Sequence, residues 1–188
     1  MPEAKEKMPY DHFEHRHRFA AWAAARATQR GFTSTSNLLG ALNRAGVREF
    51  LQNPSSNDCR NQEAFDDLHR KWCSCIVAFL HDEEIGATYG RAAKLVAVYL
   101  KAMVVILPDG TSDLARFAHP PIDRVLLQNI SRCDELKSRL KSSWRNVRWT
   151  QLDSDAYYEL IKQLRGALNK DDPWWKLEKY WTVTNDLG

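Results

Sequence analysis

A cluster of cations and tryptophans in the second half of the sequence has the composition of a nucleic-acid groove. The cluster consists of Lys137, Arg139, Lys141, Trp144, Arg145, Arg148 and Trp149. Clustered cations neutralise phosphates, and aromatic rings stack on unpaired bases. Four arginines near the N terminus add to the positive charge: Arg16, Arg18, Arg26 and Arg30. A second interpretation stays open, in which the cations form an ordinary solvated helix face and the tryptophans belong to the core.

A second segment combines an apolar stretch that carries lysines with a proline-rich turn that ends in an aspartate. Its first part, YGRAAKLVAVYLKAMVVI, covers residues 89–106, and its second part, HPPIDRVLL, covers residues 119–127. Glycines stand at Gly86 and Gly90 before the apolar stretch. Residues 86–130 thereby resemble the core of the helix-hairpin-helix DNA glycosylase superfamily, in which a glycine-containing turn opens one helix and an aspartate begins another.

The resemblance implies roles for individual residues. Gly90 takes the place of the turn glycine and Asp123 that of the catalytic carboxylate. Cleavage of an N-glycosidic bond develops positive charge on the sugar. A fixed carboxylate either stabilises this charge or activates the water that attacks the sugar. In bifunctional members a lysine forms a Schiff base with the sugar, and Lys94 is the matching residue here, with Lys101 as the alternative. The usual L-P-G-[IV]-G hairpin and the iron–sulfur loop of some members are absent.

Each of these residues also has a structural interpretation. An aspartate after two prolines is a good N-cap, because its carboxylate accepts hydrogen bonds from the first turn and interacts favourably with the helix dipole. Lys94 and Lys101 also fit as solvated or snorkelling side chains of a helix that buries its other face. A catalytic Asp123 should line a concave basic pocket with an aromatic residue nearby, as a flipped-out base requires. A purely capping Asp123 should face flat solvent.

Other chemistry-bearing patterns are incomplete. Of the clustered His12, His15 and His17, only His12 and His15 share a helical face, and no nearby cysteine or carboxylate pair completes a metal site, so a solvated first turn is favoured. Four cysteines at positions 59, 73, 75 and 133 match neither a disulfide scaffold nor a zinc or redox motif. The sequence contains no Walker loop, G-x-S-x-G, dinucleotide fingerprint, H-E-x-x-H or kinase signature. We expect no metal and no cofactor.

The composition is that of a single globular domain. Hydrophobic residues make up 44% of the 188 residues, charged residues make up 27%, and the net charge is +3, which by itself does not imply a polyanionic partner. The most apolar run, residues 95–107, is far shorter than the roughly 18 residues that span a bilayer. The first ten residues lack the apolar stretch of a secretory signal. We expect a cytoplasmic protein with a flexible segment 1–10 and one helical domain over residues 11–188.

The spacing of apolar residues predicts an all-α fold of about seven or eight helices. The first, over residues 11–30, is rich in alanine and allows close packing of a neighbouring helix. The fourth lies between residues 85 and 107, and residues 104–106 of it have the composition of a strand. A fifth helix begins within HPPID, with the prolines in its first turn. Asp153 or Ser154 caps the helix that follows.

Two functions are consistent with these patterns. The first is a DNA-binding protein that resembles helix-hairpin-helix base-excision glycosylases and acts as an N-glycosylase. The second is a non-catalytic, helical protein-interaction or regulatory module of bacterial type, which binds another protein through the aromatic helix that Pro173 opens, with Trp174, Trp175 and Trp181. A basic groove that joins Arg145 and Arg148 to Asp123 favours the first function. A contiguous apolar patch around the C-terminal tryptophans favours the second.

Overall fold

The regular structure of this protein is entirely helical in the residues that the computed structural model describes, 10–53, 59–106, 112–133 and 141–182. The α-helices in these ranges are α1 (His12–Gln29), α2 (Thr35–Arg44), α3 (Val47–Gln52), α4 (Gln62–Asp82), α5 (Tyr89–Leu100), α6 (Asp113–Phe117), α7 (Arg124–Arg132), α8 (Lys141–Trp144) and α9 (Ser154–Arg165). A π-helical turn (Lys101–Val105) continues α5, and two 3₁₀ segments lie at Trp149–Gln151 and Trp174–Tyr180. The predicted all-α fold class is confirmed.

Helix α1 begins and ends where the sequence predicts. The carboxylate of Asp11 accepts a hydrogen bond from the backbone N–H of Glu14 at 2.8 Å and so caps the first turn. Arg30 and Gly31 both adopt left-handed backbone conformations, with φ values of 31° and 74°, and end the helix. The buried face of α1 carries Ala20, Ala21, Ala24 and Ala25. These small side chains let α1 pack closely against α5.

Helix α5 is enclosed on almost all sides, and ten of its twelve residues are buried. It packs against α1, α4 and the 3₁₀ segment Trp149–Gln151. At its C-terminal end the backbone N–H of Ile106 donates to the carbonyl of Lys101 at 3.0 Å, which is the i→i−5 bond of a π-helix. The interpretation of residues 104–106 as a strand is therefore wrong.

The HPPID segment enters the fold differently from the prediction. Residues 119–122 are buried and without regular structure, and α7 begins only at Arg124. The reason is steric, because His119 and Pro120 each precede a proline and are disfavoured in the helical region. Asp123 has extended dihedral angles and caps α7, with its Oδ1 accepting from the N–H of Leu126 at 3.0 Å. The helix was predicted correctly, but the prolines lie before it rather than in its first turn.

The remaining boundaries agree in part with the sequence. Asp153 caps α9 by accepting from the N–H of Ala156 at 2.8 Å, whereas α6 was not predicted. Pro173 does precede a helical segment, which is 3₁₀ rather than α. The predicted flexible segment 1–10 lies outside the described residues except for Tyr10. Among the described residues, no helix has the length and apolar character needed to cross a membrane.

Candidate functional site

Lys94 and Asp123, 29 residues apart in the sequence, meet in the protein interior. Nζ of Lys94 donates to Oδ2 of Asp123 at 3.0 Å, and the two side chains are only 4% and 5% exposed. The buried face of α5 positions the lysine, and the N-cap of α7 positions the aspartate. The interpretation of Lys94 as a solvated side chain is wrong, because a helix enclosed on all sides has no solvent face at this position.

The surroundings of this lysine–aspartate pair favour the charge of the carboxylate and disfavour that of the amine. Oδ1 of Asp123 accepts from the N–H of Leu126, and Oδ2 accepts from Nε1 of Trp181 at 3.0 Å as well as from Lys94. Burial alone raises the pKa of Asp123, but the charge of Lys94 and these hydrogen bonds outweigh it, and the pKa is lowered. Burial also lowers the pKa of Lys94, against the attraction of the carboxylate. The amine is therefore closer to its neutral form than an exposed lysine is.

A basic pocket of about 420 Å³ is lined in part by two residues next to the pair, Arg124 and Trp149. We call it the arginine pocket, and it is lined by Arg124, Arg145, Asn146, Val147, Arg148, Trp149 and Thr150. The Trp149 ring also covers the amine of Lys94, with 4.7 Å from Nζ to the ring centroid. Arg124 follows Asp123 directly in the chain. In the described part of the chain, no carboxylate forms an ion pair with any of the three guanidinium groups.

The structure thus brings some of the predicted binding residues together and places others apart. Arg145 and Arg148 share the arginine pocket with Arg124, the residue that follows Asp123 in the chain, but Asp123 itself does not line this pocket. Trp144 is fully buried and donates from Nε1 to Oε1 of Gln163 at 3.1 Å, so it belongs to the core and offers no face to a base. The predicted residues Lys137 and Arg139 lie outside the described residues, as does the side chain of Lys141, the first residue of α8.

Gly90, which the resemblance places in the turn and among the nucleic-acid-binding residues, is engaged within the fold. Its backbone N–H donates to the carbonyl of Leu152 at 2.9 Å and is not free to bind a phosphate. A Cβ atom built on Gly90 would lie 1.9 Å from the carbonyl oxygen of Trp149. Glycine at this position lets α5 and the segment 149–152 touch through their backbones. That contact holds Trp149 over the lysine.

The C-terminal residues 174–182, which we call the C-terminal strap, lie over the same pair. Trp181 bonds to Asp123 as described, and Glu178 forms an ion pair with Lys101. The side-chain amide of Asn129 donates to the carbonyl of Tyr180 at 2.9 Å. Trp174 is buried. Trp175 and Trp181, by contrast, are 36% and 39% exposed, so only part of the tryptophan-rich segment is buried in the fold. Lys101, the alternative nucleophile, is engaged with a carboxylate.

The N-terminal histidines divide between solvent and core. His12 and His15 are exposed, but His17 is buried, with its Nδ1 2.8 Å from the hydroxyl of Tyr99. The prediction of a solvated cluster is wrong for His17, because it lies on the face of α1 that packs against α5. Among the described residues there is no group of three or more histidines, cysteines or carboxylates with the arrangement of a metal site.

A buried cluster of aromatic and imidazole rings was not predicted from the sequence. It comprises His69 from α4, Tyr89 from α5, His119 from the HPPID segment, and Tyr157 and Tyr158 from α9. The ring centroids of His69 and His119 are 4.9 Å apart, and both histidines are at most 2% exposed. We call this group the histidine–tyrosine cluster. It joins four separate parts of the chain in the core.

The hydrogen bonds of this cluster fix the tautomer of His69. The hydroxyl of Tyr158 donates its only hydrogen to the carbonyl of Asp66 at 2.9 Å. It must therefore accept from Nδ1–H of His69, which lies 2.9 Å away. The lone pair on Nε2 of His69 faces the thiol of Cys73, with Sγ at 3.5 Å. A neutral His69 satisfies all of these contacts.

Both ring nitrogens of His119 also have hydrogen-bond partners. Its Nε2 donates to Oδ1 of Asp66 at 3.0 Å, and its Nδ1 accepts from the hydroxyl of Tyr157 at 3.2 Å. The amide of Gln62 donates to the same carboxylate at 2.8 Å and accepts from Nε1 of Trp174 at 2.6 Å. Both imidazole rings are thus satisfied in their neutral form, as in a structural polar core, while Asp66 remains partly exposed at the edge of the network.

The burial of His69 predicts sensitivity to acid. Burial, reinforced by the neighbouring His119 ring and the charge of Arg70, lowers the pKa of His69 well below its usual value. The unfolded chain therefore binds this proton more readily than the native protein does. The stabilisation is complete above the unfolded pKa of about 6.5 and is lost as the pH falls below it, with a slope of up to about 1.4 kcal/mol per pH unit.

Urea denaturation at pH 5, 6, 7 and 8 measures this effect. We expect the free energy of unfolding of the wild type to fall below pH 6.5, and we expect His69→Gln to reduce that slope. His12→Gln is the matched control, because His12 is exposed, and it should keep the wild-type slope. An unchanged slope in His69→Gln would show that other groups cause the acid sensitivity.

No protein-family model, curated protein or solved structure matches this chain in comparisons with known proteins.

Proposed function

We propose that this protein binds nucleic acid at the arginine pocket and cleaves an N-glycosidic bond with the lysine–aspartate pair behind it. One observation carries the proposal. The two residues that the resemblance assigns as nucleophile and carboxylate are in contact at 3.0 Å, although they are 29 residues apart. Their neighbours Arg124 and Trp149 form part of the wall of the arginine pocket.

The arginine pocket supplies the binding half of this function. Guanidinium groups bind phosphate oxygens through paired N–H donors, and three of them around one concave surface suit a bent or splayed backbone. Arg124, Arg145 and Arg148 form no ion pair with the described residues, so their charges are not already neutralised there. This part of the proposal is independent of catalysis.

The pair supplies the chemical half. Transfer of one proton from Nζ of Lys94 to Oδ2 of Asp123 converts the ion pair into a neutral amine and a carboxylic acid. The neutral amine attacks C1′ of the sugar while the base leaves, and the acid returns a proton to the departing base. The C1′–O4′ bond then breaks, a proton passes from the attached nitrogen to O4′, and a protonated Schiff base between Lys94 and the opened sugar remains. Burial assists the first step at the lysine, because it lowers the pKa of the amine. The lowered pKa of Asp123 opposes the same transfer, and loss of the hydrogen bond from Trp181 reduces that opposition.

Access to the pair requires the C-terminal strap to move. Trp181 is 39% exposed and covers Asp123 through a single hydrogen bond from Nε1. Displacement of this indole opens Oδ2 to a ligand, whereas Lys94 stays held by α5. A sugar that enters here replaces the bond from Trp181 with contacts of its own.

Binding is tested with fluorescent single- and double-stranded DNA across a salt series. We expect wild-type binding to weaken with salt, and Arg145→Ala/Arg148→Ala to reduce the slope of log affinity against log salt by about 2, roughly 1 per lost phosphate contact. The double variant Arg44→Ala/Lys71→Ala removes the same charge from exposed positions on α2 and α4 and should leave the slope unchanged. Absence of wild-type binding at low salt would refute both halves of the proposal.

Catalysis is tested by borohydride trapping on duplexes that contain uracil, 8-oxoguanine or an abasic site. A Schiff base between Lys94 and the sugar is reduced to a covalent protein–DNA adduct, which Lys94→Met cannot form. Lys101→Gln is the control for the alternative lysine and should still be trapped. DNA binding without any adduct or base release on the three substrates would leave a binding protein and remove the enzymatic half.

A protein-interaction module is the second candidate, and one observation favours it. Phe19 and Trp22 on α1 are 62% and 53% exposed, with ring centroids 6.1 Å apart. Exposed neighbouring aromatic rings are typical of protein interfaces. This surface differs from the C-terminal tryptophans on which the sequence placed the interface. If DNA binding fails, Phe19→Ser/Trp22→Ser tests this candidate by its effect on self-association in sedimentation.

A further inference from the structure

A second pocket, lined by residues unrelated to the lysine–aspartate pair, lies between α4, α6, α9 and the start of the C-terminal strap. We call it the α6–α9 pocket, and its volume of about 400 Å³ is within the range of roughly 300–1,000 Å³ that small-molecule sites occupy. Its lining consists of Gln62, Asp66, Arg116, Phe117, Tyr158, Ile161, Lys162, Arg165, Lys170, Asp172 and Trp174. It shares no lining residue with the arginine pocket.

The rim of this pocket carries uncompensated positive charge. Among its described neighbours, Arg116 of α6, Lys162 of α9 and Lys170 of the following loop have no carboxylate within ion-pairing distance. Asp172, by contrast, is engaged by an ion pair with Lys176. Three separate elements therefore direct cations at one concave surface, which suits a phosphate group.

A fourth cation is already held in place. The guanidinium of Arg165 donates to the backbone carbonyls of Asn169, Lys170 and Asp172 and lies 5.3 Å from the ring centroid of Trp174. Because these contacts restrict its rotamers, Arg165 loses little further entropy when it contributes to binding an anion. The rim thus combines one preorganised cation with three adaptable ones.

The inner part of the pocket suits a flat ring with an N–H donor. The exposed lining is mainly apolar, with contributions from Phe117, Ile161 and Tyr158. Asp66 contributes a carboxylate whose Oδ1 already accepts from Gln62 and His119. Its Oδ2 accepts no hydrogen bond from the described residues. The Asp66 side chain is 24% exposed. A ligand that enters can donate an N–H to this oxygen.

We propose that the α6–α9 pocket binds a nucleoside monophosphate with an amino-bearing base, such as adenosine or cytidine monophosphate. The phosphate binds at the rim of cations, the base lies on the apolar wall, and its amino group donates to Oδ2 of Asp66. A ligand with only one of these features satisfies part of the site. The histidine–tyrosine cluster holds Asp66 from behind and orients its free oxygen.

Isothermal titration calorimetry with adenosine monophosphate, adenosine and ribose 5-phosphate tests the proposal. We expect the nucleotide to bind, and each half-ligand to bind about tenfold more weakly or not at all. Arg116→Gln/Lys162→Gln should weaken the nucleotide by about tenfold and leave adenosine unchanged, because only the phosphate contacts are lost. Arg44→Gln/Lys71→Gln is the matched control and should bind like the wild type.

Three results would overturn the proposal. Absence of nucleotide binding at millimolar concentration is the first, and equal affinity for adenosine and its monophosphate is the second. The third is loss of nucleotide binding in Arg145→Ala/Arg148→Ala, which would place the nucleotide in the arginine pocket instead. That variant also separates this proposal from the function proposed above, since it should weaken DNA binding, with a smaller salt slope, and keep nucleotide binding.

Discussion

Asp123→Ala is expected to lower the free energy of unfolding by about 3–5 kcal/mol. The substitution leaves the ammonium group of Lys94 in the core at 4% exposure without its carboxylate partner. It also removes the acceptor for Nε1 of Trp181 and for the N–H of Leu126. An unpaired buried charge costs far more than a missing cap. Urea denaturation at pH 7 measures the difference, with the midpoint and slope fitted separately.

A matched control separates the charge from the cap. Asp153 caps α9 with the same geometry, Oδ1 to the backbone N–H three residues later at 2.8 Å, but it is exposed and has no ion pair with the described residues. Asp153→Ala is therefore expected to cost only about 1 kcal/mol, the ordinary value of an N-cap. Equal costs in Asp123→Ala and Asp153→Ala would mean that the buried ion pair contributes nothing beyond capping.

A double-mutant cycle then isolates the pair. Asp123→Asn keeps an oxygen for the N-cap but removes the negative charge, and Lys94→Met replaces the lysine with an uncharged side chain of similar length. We expect each single variant to be destabilised and the double variant to recover most of the loss, because no charge is left unpaired in the core. Strictly additive losses would show that Lys94 and Asp123 do not interact energetically.

The sequence predicts the local parts of this fold because their causes are local. Asp11 and Asp153 cap helices through bonds that span three residues, so the capping residue and the first turn are read together. The left-handed backbone at Gly31 follows from the glycine, whereas that at Arg30, which carries a Cβ, does not. Alanine spacing predicts the packing face of α1. None of these features depends on what the rest of the chain does.

The lysine–aspartate pair could be predicted as two candidates but not as a contact. Lys94 stands in the run A-A-K-L-V-A-V, which is apolar on every side of the helix. Such a run indicates a helix buried all round, and a lysine within it needs a partner in the core. Asp123 is that partner because of where α7 packs in the fold. The spacing of apolar residues does not predict this position.

The histidine–tyrosine cluster was not predicted, because a histidine is taken as a polar surface residue even where its position in the helix is a buried one. His69 lies four residues after Phe65 and three before Trp72, on the buried face of α4. A histidine there is read as polar, although its place in the pattern is that of a core residue. The pairing with Tyr158 joins residues 89 positions apart. Only the docking of α9 on α4 brings the two rings together.

Gly90→Ala is expected to cost about 3 kcal/mol of unfolding free energy, although alanine is the better helix former by about 1 kcal/mol. Gly90 has no positive φ, so the cost is steric: the new Cβ would lie 1.9 Å from the carbonyl oxygen of Trp149, a backbone atom that cannot rotate away.

Gly86→Ala is the control in the preceding loop, since its Cβ would meet nothing within 4 Å, and it should change stability by less than about 0.5 kcal/mol. Urea denaturation of both variants tests whether the close backbone contact with Trp149 is what requires glycine at position 90. If Gly90→Ala leaves the free energy of unfolding unchanged, the segment 149–152 is free to shift. The Trp149 ring over Lys94 could then move with it.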